Sequence, residues 1–356
     1  MSRGDWDLLG RWYRASARDL PWRRRSSDPW AVLVSEIMLQ QTRVETVLRY
    51  YDPFLERFPS ATAMARSPLA DVLAAWSGLG YYRRARHLHA AAVRIDERHG
   101  GRVPGDPVLL RELPGIGPYT AGAVLSIAFG LPEPVLDGNV ARVLSRYRAV
   151  EGDPRRATTR RVLWRVAGEA IAGREPGELN QALMELGARV CVPEGPDCGR
   201  CPIARGCLAR RTGMTDRFPE AGPRPAVVLV DRAVAVLRRR GRWLLARRRA
   251  ERRLEDFLEF PGLDVGPGEP WSGRLAEHVR ERHGLAISVG ERLGSVRHQI
   301  THHRITCHVF AATPAGRIRT ASTDLVWIAR EDLPAHPIPS QTRKVLALAE
   351  SIRKSG

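Results

Sequence analysis

The stretch Leu113-Pro-Gly-Ile-Gly-Pro-Tyr-Thr-Ala-Gly122 places two glycines and a proline directly before a small, apolar, helix-forming segment. Two glycines permit a tight turn, and Pro118 suits the first position of the following helix. The turn at Gly115 and Gly117 would leave free backbone amides at a helix N-terminus, where they can bind a phosphate without reading base sequence. A Gly-x-Gly pair alone indicates only a turn. The stretch as a whole predicts two helices joined by a phosphate-binding hairpin.

Most of the cysteines form one cluster in the sequence. The pattern Cys-x6-Cys-x2-Cys-x5-Cys is made by Cys191, Cys198, Cys201 and Cys207. Structural zinc usually takes two Cys-x2-Cys pairs, whereas only one is present here, and an iron–sulphur cubane needs four thiolates spread around a larger body. The spacing favours iron–sulphur and leaves zinc as the alternative. Cys307, alone in a predicted strand, is expected to be a small buried hydrophobe.

The composition is that of a globular, strongly basic protein. The 356 residues are 43% hydrophobic and 27% charged, with a formal net charge of +18. A basic surface fits a polyanionic partner such as nucleic acid, although basic proteins also bind other anions. The longest apolar stretch, around Ala121–Leu131, is far short of the roughly 18 residues that a membrane span needs. With no signal-like N-terminus, we expect a cytoplasmic protein, nucleoid-associated if bacterial, without membrane contact.

The hydrophobic pattern changes once along the chain. From Pro29 to about Leu208 it has helical periodicity with short Pro/Gly breaks, and after residue 225 it becomes strand-like, with a hairpin turn near Gly241 and one helix at Trp271–His283. We therefore expect an all-helical domain followed by an α+β domain. The predicted boundaries are a catalytic domain at 1–209, an interdomain linker at 210–225 and a second domain at 226–350. Within the first, we expect a six-helix module at about 22–132 and a module formed by the N-terminal segment with about 133–209.

Two carboxylates are candidates for chemistry. Asp137 precedes a helix that begins near Val140, so it is either an ordinary N-cap or an ionised carboxylate able to stabilise a developing cation. Glu36 lies in a helix capped by Asp28 and faces an apolar stripe, where desolvation would keep it protonated near neutral pH, as a general acid requires. The alternative for Glu36 is a rim glutamate beside Gln40.

These segments together resemble one family across nearly the whole chain. The hairpin with its trailing aspartate, the cysteine spacing and five further segments are similar to the MutY-family adenine DNA glycosylases, which share the helix-hairpin-helix, 4Fe-4S superfamily with endonuclease III. The five segments are Leu20–Arg23, Ser35–Val44, Gly78–Tyr82, Asn180–Leu183 and Glu259–Gly262. The resemblance implies an all-α helix-hairpin-helix glycosylase domain with a 4Fe-4S loop, plus a C-terminal α+β Nudix-like domain.

The resemblance also implies roles for individual residues. Glu36 would protonate the adenine and Asp137 would stabilise the sugar cation, with Tyr119 at the sugar and Asn139 supporting the same centre. The flipped adenine would lie in a pocket, and two further residues would wedge into the base stack. The pocket residues would be Trp22, Arg23 and Gln181, and the wedge residues Gln41 and Tyr81.

The C-terminal domain is expected to bind rather than hydrolyse. Nudix hydrolases hold magnesium on a carboxylate-rich helix. Aligned on Gly284, this helix has Glu277-His278 and Glu281-Arg282 where the pattern calls for Arg-Glu and Glu-Glu, so most metal ligands are missing. The resemblance implies that the domain reads 8-oxoguanine through a loop at Arg297–His303. The family commonly has Phe-Ser-His where this chain has Ile300, Thr301 and His302.

Lysine usage separates the alternatives. A strand-cutting enzyme of the endonuclease III type uses a hairpin-helix lysine as nucleophile. Tyr119 occupies that position, and the only lysines are Lys344 and Lys354. A non-enzymatic DNA-binding protein would need neither Glu36 nor Asp137. The lack of a hairpin-helix lysine predicts a monofunctional enzyme. Together with this, the resemblance implies a monomeric glycosylase with a 4Fe-4S cluster, acting on double-stranded DNA to remove adenine opposite 8-oxoguanine or guanine.

Overall fold

The computed structural model describes residues 3–220, 222, 226–247, 257–266, 271–300, 302–316, 324–333 and 336–352. The chain divides into two compact units: residues 1–67 with 87–224, and residues 68–86 with 225–356. The helices are α1 (Arg3–Ser16), α2 (Pro21–Arg24), α3 (Pro29–Leu39), α4 (Val44–Val47), α5 (Tyr51–Arg57), α6 (Ala61–Ala65), α7 (Leu69–Ala75), α8 (Arg83–His99), α9 (Pro107–Arg111), α10 (Pro118–Phe129), α11 (Gly138–Arg148), α12 (Ala157–Ile171), α13 (Pro176–Arg189), α14 (Leu208–Arg211), α15 (Trp271–His283) and α16 (Ser340–Ile352). The strands are β1 (Val228–Arg239), β2 (Arg242–Arg247), β3 (Leu258–Glu259), β4 (Gly262–Val265), β5 (Ile287–Ile300), β6 (His303–Pro314) and β7 (Leu325–Ile328).

The first unit is helical, as the periodicity predicts. Its helices begin at the residues that cap helices best: Asp28 accepts the amides of Trp30 and Ala31 at the start of α3, and Asp106 caps α9 in the same way. One core joins α1 to α11 and α13 through residues such as Trp6, Leu144 and Leu186. Helix α3 is buried from Trp30 to Met38 and packs against α10. A residue on α3 is therefore surrounded by protein on all sides.

The second unit is built on a mixed sheet. Among its described residues the strands run in the order β3-β2-β1-β6-β5, with β4 paired to β1 and β7 to β2. Strand β1 is parallel to β6, and the other pairs are antiparallel. Among these residues a helix packs on each face: Leu275 and Val279 of α15 lie on one side, and Val345 and Leu346 of α16 on the other. This is the helix-on-sheet arrangement expected of an α+β domain.

Local expectations in the second unit are largely confirmed. Helix α15 spans the predicted residues 271–283. The β1–β2 turn has two consecutive residues with positive φ, Arg240 at 49° and Gly241 at 79°, as a type I′ hairpin turn requires. The predicted lesion-reading loop at Arg297–His303 differs, because Arg297–Ile300 end β5 and His303 begins β6. Cross-strand pairing from His298 to Ile305 turns most of that loop into the end of a β-ribbon.

The grouping of residues in the structure differs from the predicted domains at two places. The predicted catalytic domain includes residues 68–86, but they group with the C-terminal unit because Ser77 and Tyr82 bond to Ile338 there. The predicted linker is not free chain: Arg146 donates from Nε to the carbonyls of Thr215 and Phe218, and the Phe218 side chain is buried. Backbone carbonyls satisfied by a buried guanidinium hold this segment on the helical unit.

Within the described part of the chain, no helix is long and apolar enough to cross a membrane.

Candidate active site

Glu36 is buried in the middle of the helical unit. Its side chain lies on α3 and is only 5% exposed. The hydroxyl of Tyr119, in the first turn of α10, donates to Glu36 Oε2 at 2.6 Å and also lies 3.3 Å from Met184 Sδ. The hairpin that precedes α10 therefore places the tyrosine hydroxyl directly on the carboxyl group. The rim position left open for Glu36 by the sequence is wrong.

The surroundings of Glu36 raise its pKa from 4.5 to about 7. Burial is the largest cause, and the nearby Asp137 carboxylate raises the pKa further. The hydrogen bond from Tyr119 and the charge of Arg23 act in the opposite direction. A carboxyl group with this pKa is present in both protonation states near neutral pH, as proton transfer requires.

Asp137 caps the start of α11 beside this group. Its Oδ1 accepts the amide of Val140 at 2.7 Å, and its Oδ2 accepts Asn139 Nδ2 at 3.3 Å. Burial raises the pKa of the Asp137 carboxyl above its ordinary value, against the amides of Val140 and Asn139 and the charge of Arg142, which lower it. A helix N-terminus alone would lower this pKa. Desolvation therefore changes the pKa of Asp137 more than the helix cap does. The position of Asp137 in the sequence could not show this balance.

A hydrogen-bonded chain links Asp137 to the cysteine loop. Arg142 Nη2 donates to Asn139 Oδ1 and to the carbonyl of Gly187, both at 2.8 Å. Its Nε donates to the carbonyl of Cys191, also at 2.8 Å. The guanidinium thus joins Asn139, which bonds Asp137, to the first cysteine of the cluster. The sequence analysis missed Arg142, although its position three residues after Asn139 on one helix was a usable signal.

One predicted pocket residue, Arg23, is held by an acid that the sequence analysis also missed. Arg23 Nη2 donates to Glu185 Oε2 at 2.8 Å, and Glu185 is 1% exposed. Arg18 and Arg23 hold the pKa of Glu185 well below its usual range, at about 2, despite its burial. Gln181, one turn before Glu185 on α13, accepts from Tyr13 Oη at 3.1 Å. The i, i+4 spacing of Gln181 and Glu185 was the available signal.

Trp22 is buried, with its ring 5.6 Å from that of Tyr51 in an edge-to-face arrangement. Aromatic pairs favour this geometry, which fixes the orientation of the indole.

Both predicted wedge residues have strained backbones. Gln41 has φ of 55° and Tyr81 has φ of 47°, although neither is glycine. Both side chains are exposed, Tyr81 at 46%. Left-handed conformations are unfavourable for side chains of this size and persist only where the surroundings hold them, commonly at functional sites. Each residue is therefore presented on a tight turn rather than on a regular element.

The two hairpin glycines differ in whether a side chain could replace them. Gly115 has φ of 79°, and a Cβ there would lie 2.6 Å from the Cβ of His87. At Gly117, the N-cap of α10, a Cβ would meet nothing within 4 Å. Gly115 is needed by the fold itself, whereas the space at Gly117 is left open on an exposed surface.

The four clustered cysteines line one open cavity. Arg146 and Tyr147 also contribute to its wall. Arg146 Nη1 donates to Cys191 Sγ at 3.4 Å and to the carbonyl of Val192 at 2.6 Å. Over the residues described, no three His, Cys, Asp or Glu side chains converge closely enough to hold a single metal ion. The four cysteines nevertheless line the same pocket, and four cysteine thiolates are a donor set that iron–sulphur clusters use.

The C-terminal site residues are only partly described. Thr301 lies outside the described residues. His302 is exposed after β5, and burial together with Lys344 lowers the pKa of His298. On α15 the side chains of Glu277, Glu281 and Arg282 are exposed. The outer face of α15 is thus not the set of converging carboxylates that magnesium requires.

Comparison with known proteins identifies the family. Residues 34–169 match the HhH-GPD superfamily of base excision DNA repair proteins, and residues 233–348 match the NUDIX domain. An adenine DNA glycosylase of Homo sapiens is 34% identical over 94% of this chain and 72% of its own. One of Schizosaccharomyces pombe is 32% identical over 92% of this chain and 85% of its own.

Solved structures support the same fold for the helical unit. The structure of a thermostable thymine-DNA glycosylase aligns with a TM-score of 0.54 at 28% identity, covering 58% of this chain and 95% of that one. A non-covalent endonuclease III–DNA complex aligns with a TM-score of 0.50 at 21% identity over 60% of this chain and 96% of that one, which shows a shared fold alone. The chain therefore belongs to the adenine DNA glycosylase family, within the HhH-GPD superfamily of base excision DNA repair proteins, and carries a C-terminal NUDIX domain.

Proposed function

We propose that this glycosylase is monofunctional and removes adenine opposite 8-oxoguanine or guanine by hydrolysing the N-glycosidic bond. The observation that carries the proposal is the buried group of Glu36, Tyr119 and Asp137, in which the pKa of Glu36 is about 7. Departure of adenine needs a proton on the base, and the sugar left behind is cationic. One protonated and one ionised carboxyl group, close together, meet both requirements.

Glu36 supplies the proton in this mechanism. The family resemblance implies that the proton goes to N7 of the flipped adenine, which turns the base into a neutral leaving group. Tyr119 orients the Glu36 carboxyl through its 2.6 Å hydrogen bond. Positioning the acid in this way avoids the reorganisation that an exposed carboxyl would undergo.

Asp137 stabilises the sugar cation, electrostatically or by a transient bond, until water adds. Asn139 and the Val140 amide hold its two oxygens in place. Fixed charge aimed at a developing cation in a buried site is worth more than the same charge in water. Because no lysine precedes Lys344, there is no hairpin-helix lysine to form a Schiff base and cut the strand.

The remaining residues bind DNA and the base. The amides around Gly115 and Gly117 hold a backbone phosphate, and Gln41 and Tyr81 wedge into the stack as the adenine leaves it. Trp22, Arg23 and Gln181 line the adenine pocket. The net charge of +18 supports attraction to a phosphate backbone. We further propose that the protein acts as a monomer on double-stranded DNA in the cytoplasm.

Cys191, Cys198, Cys201 and Cys207 would hold a 4Fe-4S cluster, which when bound supplies a structural centre and need not change oxidation state. Their convergence on one cavity and the Cys-x6-Cys-x2-Cys-x5-Cys spacing support this assignment over zinc. Arg200, Arg205, Arg210 and Arg211 in the same loop carry positive charge that can meet phosphates.

The C-terminal domain would recognise 8-oxoguanine on the opposite strand through Thr301 and His302. A threonine hydroxyl can bond the altered edge of the lesion, whereas Ile300 lacks an aromatic ring to pack on DNA. We therefore expect a weaker preference for 8-oxoguanine over guanine than in relatives with the Phe-Ser-His sequence.

The decisive experiment offers the purified protein three duplexes, containing adenine opposite 8-oxoguanine, adenine opposite guanine, or thymine glycol. We expect an abasic site in the first two, without strand cleavage until alkali is added. Activity on thymine glycol alone would overturn the proposal. Excision by the Glu36→Gln variant at the wild-type rate would overturn the assignment of the acid.

A further inference from the structure

The turn that carries Tyr81 is held in an unusual backbone shape. We call residues 77–82 the wedge turn. Within it Gly78, Gly80 and Tyr81 have φ of 115°, 72° and 47°. Glycine adopts such angles freely, but tyrosine does not, so contacts elsewhere must stabilise the conformation at Tyr81.

One set of contacts is local. Trp76 Nε1 donates to the carbonyl of Gly80 at 3.1 Å, and Arg84 Nη2 donates to the carbonyls of Leu79 and Gly80 at 3.3 and 3.2 Å. The Arg84 guanidinium also lies 5.5 Å from the centre of the Tyr81 ring. These bonds stabilise the turn, but they join residues of one short segment. They therefore do not connect the turn to the rest of the protein.

A second set of contacts comes from the C-terminal half of the chain. The Tyr82 hydroxyl and Ser77 Oγ donate to the same carbonyl oxygen, that of Ile338, at 3.1 and 3.3 Å. Arg343 Nη2 donates to Ser77 Oγ. Ser77, Tyr82 and Ile338 are all buried. Both ends of the wedge turn are thus fastened to one buried carbonyl just before α16.

Lys344, which follows Arg343 on α16, contacts the predicted lesion-reading loop at Arg297–His303. Lys344 Nζ donates to the carbonyl of Arg297 at 2.7 Å, near the end of β5. Arg343 and Lys344, adjacent in one helix, therefore bond the wedge turn and the strand that leads into Thr301 and His302. Movement of either Ser77 or Arg297 would therefore act on the same turn of α16.

We propose that Ser77, Tyr82 and Arg343 are positioning residues through which the C-terminal domain sets Tyr81 for insertion into DNA. The proposal rests on the proposed function, because it takes Tyr81 as the wedge. It assigns the C-terminal domain a second task besides reading the partner base: it holds the residue that opens the stack. Because Tyr82 and Ser77 are buried, they would act through the backbone of Tyr81 and not on the DNA directly.

The test measures unstacking of DNA rather than catalysis. The duplex carries 8-oxoguanine opposite a 2′-fluorinated adenosine, since the fluorine disfavours the sugar cation and keeps the duplex intact. A 2-aminopurine beside the 8-oxoguanine fluoresces when it unstacks. We expect wild-type protein at saturation to raise the fluorescence, and Tyr82→Phe to lower the equilibrium constant for unstacking by about 2- to 10-fold, the effect of one hydrogen bond. Ser77→Ala should lower it at least as much, because Ser77 Oγ also accepts from Arg343. Ser67→Ala is the matched control, because it removes a hydroxyl that donates to the Ala63 carbonyl in the other unit.

A double-mutant cycle separates positioning from general stability. In a Tyr81→Ala background, Tyr82→Phe should cause no further loss, because the group that it positions is gone. The proposal would be overturned if neither Tyr82→Phe nor Ser77→Ala changed the fluorescence. It would also be overturned if Tyr82→Phe caused the same loss in the Tyr81→Ala background as in the wild type. Excision from the unfluorinated duplex is measured in parallel: failure of the wild-type protein to release adenine would overturn the proposed function, and it is scored separately from the wedge measurement.

Discussion

Glu36 sets the upper pH limit of activity in this mechanism. Its carboxyl must be protonated to act, and its pKa is about 7. We therefore expect the single-turnover rate of adenine excision to fall as pH rises through about 7. Glu36→Gln should lose about 10²- to 10⁴-fold in rate at pH 6, the usual contribution of a general acid. A rate that is constant from pH 6 to 8.5 would contradict the assignment.

The Tyr119 hydroxyl holds the pKa of Glu36 below the value that burial alone would produce. Tyr119→Phe removes that hydrogen bond and keeps the ring. We expect the alkaline limb of the pH–rate profile to move to higher pH, while the rate on the plateau falls because the acid is less well oriented. The profile of single-turnover rates between pH 6 and 9 measures both effects. An alkaline limb that moves to lower pH would show that the hydroxyl does not stabilise the ionised carboxylate.

The same carboxyl group links stability to pH. The pKa of Glu36 is raised from 4.5 to about 7 in the folded protein, so its stabilising contribution is complete below pH 4.5 and is lost as pH rises through about 7. Glu36→Gln lacks this dependence. We expect the free energy of unfolding of the variant, relative to wild type, to increase between pH 4.5 and 8 in urea titrations. A difference that stays constant over this range would contradict the raised pKa.

At the scale of the element, the two glycines of the hairpin before α10 have different expected roles, Gly115 in folding and Gly117 in DNA binding. Gly115→Ala should destabilise the protein by about 1 to 3 kcal/mol, because the residue has φ of 79° and its new methyl group would meet His87. Gly117→Ala has open space around the new methyl group, so its stability should change by no more than about 0.5 kcal/mol. We expect Gly117→Ala to weaken DNA binding by about 10-fold, because the methyl group would keep a phosphate from the hairpin amides and remove one hydrogen bond.

Chemical denaturation and a DNA-binding titration on both variants measure these effects. The two glycines serve as controls for each other. Equal loss of stability in both variants would contradict the open space at Gly117, and unchanged DNA affinity of Gly117→Ala would show that the phosphate does not bind there.

At the scale of the whole molecule, the proposed cluster predicts that loss of a cysteine ligand also lowers DNA affinity. Cys201→Ser replaces a thiolate with an oxygen ligand that suits iron–sulphur clusters poorly, so we expect loss of bound iron and of its visible absorbance. With the loop released, the slope of log affinity against log salt should become shallower by about 0.9 for each phosphate that the loop no longer neutralises. Cys307→Ser is the control, since Cys307 is buried in the sheet and bonded to Gln341 Nε2. Retention of full iron content by Cys201→Ser would refute the ligand assignment.

Part of the fold and of the site could be predicted because the signals are local. Helix α15, the type I′ turn at Gly241 and the cap at Asp28 each depend on a few neighbouring residues. The grouping of residues 68–86 with the C-terminal unit could not be predicted, because it depends on bonds between Ser77 or Tyr82 and Ile338, more than 250 positions away. Periodicity describes which face of an element is apolar and leaves its partner unspecified.

The sequence by itself determined the hairpin, the four clustered cysteines proposed as donors, the lack of a hairpin-helix lysine and the two carboxylates on which the proposed chemistry depends. Only the tertiary structure decided how these groups behave. Burial of α3 with Tyr119 on its carboxyl raises the pKa of Glu36, desolvation outweighs the helix cap at Asp137, and Arg142 ties that aspartate to Cys191 through Asn139. Residue identity sets which proton or charge a side chain can carry. The pKa and the orientation of the side chain depend on exclusion of solvent and on contacts with residues distant in the chain. These conditions exist only after the helices pack.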